Sequence, residues 1–267
     1  MKTWGWLVLL STTIAGCGGG GDAGADRAAN ADNLLRDGDV AAAAAAYVTG
    51  YGEQPDSINL AVGASYAAYV AGDYVKADSI LATVEPNAGE LTGDIQLRRA
   101  LVALKVGDAD DCRAHFLSAI ELLADEDPEV RAQAAKVLGE SAHSQALEPL
   151  VGLLEDPSLR VRFHAAVALG KLKSEQAVQP LLELVRENDD EDAFLRHGAV
   201  MGLVGSTTSD PEALLKTTDS AHSSVRLAAI LALRRHAYPG ISSFLKDEDL
   251  YLVTETARAI HDDFSIP

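Results

Sequence analysis

The side chains of this chain with chemical potential are two cysteines, seven histidines and one dense run of carboxylates. The cysteines are Cys17 and Cys112. A thiolate serves as nucleophile, metal ligand or acyl acceptor, and each role needs a particular neighbour. The histidines are His115, His143, His164, His197, His222, His236 and His261. None falls in H-E-x-x-H, C-x-x-C-H or C-x-x-C, the spacings that bring ligands or redox partners together. No P-loop, G-x-S-x-G or dinucleotide fingerprint occurs, and the glycines at 18–21 lack the strand that a phosphate loop follows. The run Glu187-Asn188-Asp189-Asp190-Glu191-Asp192 has oxygen ligands suited to calcium. It lacks the glycine and final glutamate of an EF-hand loop, and a solvated inter-repeat loop has the same composition. The expectation is therefore no catalytic residues, no metal site, no cofactor and no enzyme activity.

Composition bounds the scaffold that carries these residues. The chain has 267 residues, 48% of them hydrophobic but only 5% aromatic, and it is rich in alanine. That balance favours an all-α fold with closely packed helices. The formal net charge is −18, with a pI of about 4.6. Nucleic acid is excluded as an expected partner, because phosphate binding needs clustered Lys and Arg. A basic partner fits the overall charge better.

The first residues carry an address. Lys2 precedes a short apolar run, then small residues lead to Ile14-Ala15-Gly16-Cys17. The run is too short to span a bilayer and suits a cleaved leader. The four residues resemble a bacterial lipobox. That resemblance implies a signal peptide at 1–16, diacylglycerol on the Cys17 thiol, a Gly-rich tether at 17–26 and membrane attachment by lipid. Gly18 after the cysteine implies, by the same resemblance, an outer-membrane lipoprotein facing the periplasm or the exterior. Trp4 and Trp6, the two tryptophans, would leave with the leader, and Cys112 would remain without an intrachain disulfide partner.

Two repeat arrays follow. In the first, residues 27–123, Gly-Asp recurs at 38–39, 72–73 and 107–108. Ala31, Ser65 and Ala100 hold one small position; Ala43, Ala77 and Cys112 hold another; Tyr47, Leu81 and Phe116 hold a large apolar one. Glycine suits the left-handed end of one helix, and aspartate caps the next. Small residues let paired helices approach. This pattern resembles tetratricopeptide (TPR) repeats. The resemblance implies a concave groove lined by Asn59, Val62, Tyr66, Tyr69, Leu97, Leu101 and Leu104, which takes a peptide unless neighbouring helices cover these side chains.

The second array, residues 124–267, returns a phrase anchored on Val130, Val161, Leu195, Val225 and Val253. Four residues beyond each anchor stand Ala134, Ala165, Ala199, Ala229 and Ala257. Arginine follows the anchor at 131, 162, 196 and 226, with Thr254 in the fifth copy. Asp127-Pro128 and Asp156-Pro157 read as helix starts, with Asp as cap and Pro at the first helical position. Each unit is a helix pair, and the aligned arginines are expected to pair with acids between units. The pattern resembles HEAT-like repeats. The second helices of units three and four are expected to be short, "PEALLK" and "PGISSFLK". The whole reads as an α-solenoid of helical hairpins, TPR-like then HEAT-like, acting as a lipid-anchored scaffold for a protein or peptide partner.

Residues 191–267 also resemble the HEAT region of large secreted planctomycete proteins that bind haem through CxxCH. This chain has no CxxCH, so no haem role passes to any residue. The alternative is that it forms the N-terminal part of a larger envelope redox protein. The last unit stops after its first helix, which suggests an incomplete unit or a covering partner.

Overall fold

The computed structural model describes residues 23–106, 116–141 and 143–262, and every described element is helical. The leader, Cys17, Cys112, His115 and the third Gly-Asp pair lie outside the described residues. Residues 23–26, expected as tether, instead open the first helix. The chain divides into two compact units, Met1–Ala119 and Ile120–Pro267.

The first unit contains α1 (Ala23–Arg36), α2 (Val40–Glu53), α3 (Ile58–Val70), α4 (Tyr74–Val84) and α5 (Thr92–Val106). Each helix packs on the next, and α1 also meets α3. The Gly-Asp pairs behave as their chemistry predicts. Gly38 and Gly72 take φ of +86° and +82°, open only to glycine without strain. The N–H groups of Asp39 and Asp73 then donate back to the carbonyls of Leu34 and Ala68, closing helix α1 and helix α3 (both 2.9 Å). Their carboxylates accept from Ala42 (3.0 Å) and Lys76 (3.1 Å), opening α2 and α4. The small positions Ala31, Ser65, Ala43 and Ala77 are fully buried. Ser65 Oγ donates to the Ala77 carbonyl at 2.9 Å, across the α3–α4 seam. Tyr47 lies flat on Gly63, where an added Cβ would come 2.1 Å from the ring.

The second unit contains α6 (Pro128–Ser141), α7 (Leu147–Gly152), α8 (Leu159–Leu172), α9 (Val178–Asn188), α10 (Ala193–Ser206), α11 (Ser223–Arg235) and α12 (Leu250–Asp262). Two 3₁₀ segments, Pro211–Asp219 and Pro239–Lys246, stand where second helices are expected to be short. The tighter winding has a cause. A 3₁₀ turn brings residues i and i+3 to one face, and the buried pairs are Leu214 with Thr217, and Ile241 with Phe244.

The helix starts set the register. The N–H groups of Arg131, Arg162, Arg196, Arg226 and Val253 donate to Asp127, Ser158, Asp192, His222 and Asp249. Val253, not Thr254, therefore occupies the arginine position of the last unit. The anchor there is Leu252 (1% exposed), and Thr256 (0%) takes the buried small position; Ala257 is exposed. The anchor spacing falls from 30 residues (Leu195 to Val225) to 27 (Val225 to Leu252), and the 3₁₀ segment between has eight residues where the one before has nine. A second correction concerns Asp156-Pro157. Helix α8 begins at Leu159 with Ser158 as cap, and Asp156 accepts from the Ser158 N–H (2.8 Å) just ahead of it. Asp127-Pro128 does start α6, and Asp127 accepts from Glu129 (2.8 Å).

Candidate functional site

The groove residues named from sequence are not brought together as one open surface. Val62, Tyr66 and Leu97 are buried, and Val62 and Tyr66 sit in a core cluster with Leu81, Ile95 and Val102. Burial raises the Tyr66 hydroxyl above the usual tyrosine range. Tyr69 is half-buried and meets Tyr74 edge to face at 5.3 Å. Asn59 and Leu101 are half-buried, and the Leu104 side chain lies outside the description. The helices of a hairpin cover the same positions that a TPR-like reading assigns to a groove, because side chains of this size fill the seam.

In the second unit the aligned arginines form a ladder between repeats. Arg131 grips Asp156 with the Nε–Nη2 edge of its guanidinium (2.8 and 3.0 Å), and its Nη1 donates to the carbonyl of Asp125 (2.8 Å). Arg226 grips Asp247 in the same way (2.8 and 3.1 Å) and donates to the Ser220 carbonyl. Arg162 reaches Glu187 at 3.5 Å. Asp156 and Asp247 stand in the loop ahead of the following unit, and Glu187 stands in the last turn of α9. Arg131 holds the Asp156 carboxyl below the usual carboxylate range, against the opposing effect of burial. The ladder explains the acidic run too. Glu187 pairs with Arg162, Asp190 with Arg196, and Asp192 caps α10 through the Leu195 N–H (2.6 Å).

Arg196 departs from this pattern. The position ahead of α11 that matches Asp156 and Asp247 holds Ser220, which accepts from the His222 N–H (3.3 Å) as those aspartates do two residues on. Lacking a carboxylate there, Arg196 turns back to Asp190 in its own approach loop. It lines an open cleft of about 560 Å³ between α10 and α11. From α10 come Ala193, Arg196, His197 and Val200, one face of a helix; from α11 come Leu231, Arg234 and Arg235. Side chains on a helix lean toward its N-terminus, so Arg234 and Arg235 reach back over Leu231.

Elsewhere in this unit glycines let neighbouring first helices close on one another. At the ninth residue past their anchors, α6 and α8 carry Gly139 and Gly170. A Cβ on Gly139 would lie 2.7 Å from the Ala168 Cα, and one on Gly170 would lie 2.7 Å from the Met201 carbonyl oxygen. Gly205 closes on Gly170 in the same seam, where a Cβ would meet its carbonyl oxygen at 2.0 Å. In the register of Gly139 and Gly170, α10 carries Val204 and α11 carries Arg234. Sequence reasoning missed this site, although its signal was visible: Arg234-Arg235 stands where units one and two have Gly139-Glu140 and Gly170-Lys171.

His164 and His236 have structural surroundings. His164 packs edge to face on Phe163 (5.2 Å). Burial, with Arg160 and Lys136 nearby, pushes its pKa down to about 4. His236 Nε2 lies 3.0 Å from Thr207 Oγ1, and burial lowers its pKa. Among the described residues no group of three or more His, Cys, Asp or Glu is placed to hold a metal ion. No described helix is long and apolar enough to cross a membrane.

Stacked helical hairpins joined by inter-repeat ion pairs define an α-solenoid scaffold, a class whose extended surfaces serve protein interaction. A family model for HEAT repeats matches residues 117–204, so this part of the chain holds HEAT-like repeats. No curated protein matches the chain.

Proposed function

We propose that this protein is a non-catalytic repeat scaffold, held at the bacterial cell envelope by lipid on Cys17, that binds a protein partner. The observation that carries this reading is the repeating register of the second unit. Its charged side chains are spent on joining repeats: Arg131 on Asp156, Arg226 on Asp247, Arg160 on Glu129 (2.6 Å). Such a stack presents an extended surface whose exposed apolar residues, Phe194, Leu250 and Tyr251, lie at the starts of α10 and α12. The Ile14-Ala15-Gly16-Cys17 sequence supports lipid attachment. The partner is expected to meet the scaffold along these helix ends.

A photo-crosslinking amino acid at Phe194 or Tyr251, in cells expressing the full chain, tests the reading. A discrete adduct is expected, and it should weaken when Cys17→Ala releases the protein from the membrane fraction. Diffuse labelling no different from that of an unrelated envelope protein would count against a scaffold.

A further inference from the structure

We propose that the α10–α11 cleft binds an acidic peptide segment of the partner protein, its carboxylates held by Arg235 and Arg196. This names the partner class for the scaffold reading above and rests on it.

The charge distribution is the first argument. The chain carries a formal net charge of −18, yet this one cleft gathers three guanidinium groups and a histidine. A surface cation without a counter-charge is relieved by a bound anion. Arg235 is exposed and makes no ion pair among the described residues. Among those residues Arg196 is paired with Asp190 alone, an exposed carboxylate that an incoming one can replace.

The second argument is shape. A volume of about 560 Å³ lies in the range of sites that enclose small ligands or short peptide segments. A guanidinium offers a planar fork that matches a carboxylate with two parallel hydrogen bonds. The lining is not only cationic. Val200 and Leu231 present apolar surface, and Phe194, beside the lining residue Ala193, is 80% exposed. A bare phosphate would leave that surface wet. A peptide carrying apolar side chains between carboxylates covers it, the mode by which arginine clusters read acidic motifs.

The contrast with the overall charge is informative. From composition alone, a basic partner is expected. The cleft reverses that locally, so the partner's acidic segment is recognised at one place and repelled elsewhere, which fixes its register.

The test uses the full chain, fluorescently labelled, on an array of immobilised peptides. The array pairs Glu or Asp with Leu, Ile or Phe, beside matched peptides carrying Gln or Asn. Acidic–apolar peptides should bind and the amide controls should not. Arg235→Glu should weaken binding about tenfold. Asp190→Asn should strengthen it about threefold, because Arg196 is freed. Asparagine tolerates the left-handed backbone at this position (φ 66°), and a gain in affinity cannot come from misfolding. Binding that ignores charge, or that both variants leave unchanged, overturns the proposal. So does Arg235-dependent binding to phosphatidylglycerol vesicles with none to peptides. A photo-crosslinked partner retained in full by Arg235→Glu would overturn the cleft assignment and leave the scaffold reading standing.

Discussion

Helices α8 and α10 meet backbone to backbone, whereas α10 and α11 leave an open cleft along part of their contact. The two contacts descend from one repeat pattern. In the first, Gly170 and Gly205 leave no space for a Cβ, with 2.7 and 2.0 Å to the nearest backbone oxygens. In the second, Arg234 and Arg235 line an open volume. Glycines make the closed contact and arginines line the open one, and the HEAT repeat match ends at residue 204, just ahead of the open one.

The open half must be held by something other than glycine seams, and the Arg226–Asp247 clamp is placed to do so. Its side chains are only 6% and 4% exposed, against 14% and 5% for Arg131–Asp156. Arg226→Ala leaves a buried carboxylate without its counter-charge, which costs about 3–5 kcal/mol. Arg131→Ala should cost less, and Arg196→Ala, on an exposed pair, below about 1 kcal/mol. Urea midpoints of the three variants check the order. Equal losses for Arg226→Ala and Arg196→Ala would break the distinction between clamp and cleft.

The next largest effect belongs to the closed half. Gly205→Ala places a methyl group against the Gly170 carbonyl, and backbone cannot rotate away as a side chain does. Overpacking of this kind costs about 1–3 kcal/mol. Arg235→Ala, at the matching edge of the open half, should change stability by less than about 0.5 kcal/mol. Thermal unfolding of both variants makes the comparison directly.

Much of this was legible in the sequence, for identifiable reasons. Gly38-Asp39 and Gly72-Asp73 announced helix boundaries because left-handed backbone and N-capping are local demands. The arginines of the second array announced inter-repeat pairs because their spacing matched the repeat. Asp156 was harder. An Asp-Pro pair looks like a cap, and only the tertiary pairing with Arg131 shows that the carboxylate faces a neighbouring unit while Ser158 starts the helix. The last unit slipped by one residue because Val253 and Ala257 are apolar too, and no periodicity distinguishes them from Leu252 and Thr256. The TPR-like groove positions Val62, Tyr66 and Leu97 were assigned by family likeness, and burial is a property of how hairpins stack. The cleft was hidden for a different cause: Arg196, Arg234 and Arg235 do not recur as a set, and a pattern search attends to what recurs.

Ser220→Asp sharpens the comparison from the ladder side. It restores the carboxylate that Asp156 and Asp247 supply at the same register. Arg196 should leave Asp190 for the new acceptor and join α10 to the loop before α11. The expected gain is about 0.5–1 kcal/mol in stability, accompanied by weaker acidic-peptide binding because one guanidinium is withdrawn. A crystal structure of the variant with Arg196 still on Asp190 would show that the ladder's register does not extend across the cleft.

The smallest effect concerns the histidines of the two halves. His164 lies in α8 with Arg160, Lys136, Lys171 and Glu129 around it, and its folded pKa of about 4 lies below the ordinary 6.5. The unfolded chain therefore binds a proton that the folded one refuses. Stability is complete above the unfolded pKa and falls as pH drops from about 6.5 towards 4. By pH 5 the loss attributable to this ring is at most about 2 kcal/mol. His236 lies at the end of α11, where burial lowers its pKa but a hydrogen bond with the Val204 backbone opposes the shift. Its share has the same sign and a smaller size. His164→Gln should flatten the urea midpoint between neutral pH and pH 5 more than His236→Gln does. Parallel slopes for the two variants would mean that the closed seam is no drier around its histidine than the edge of the cleft. The contrast in packing would then stop at the backbone and not extend to the electrostatics of the two halves.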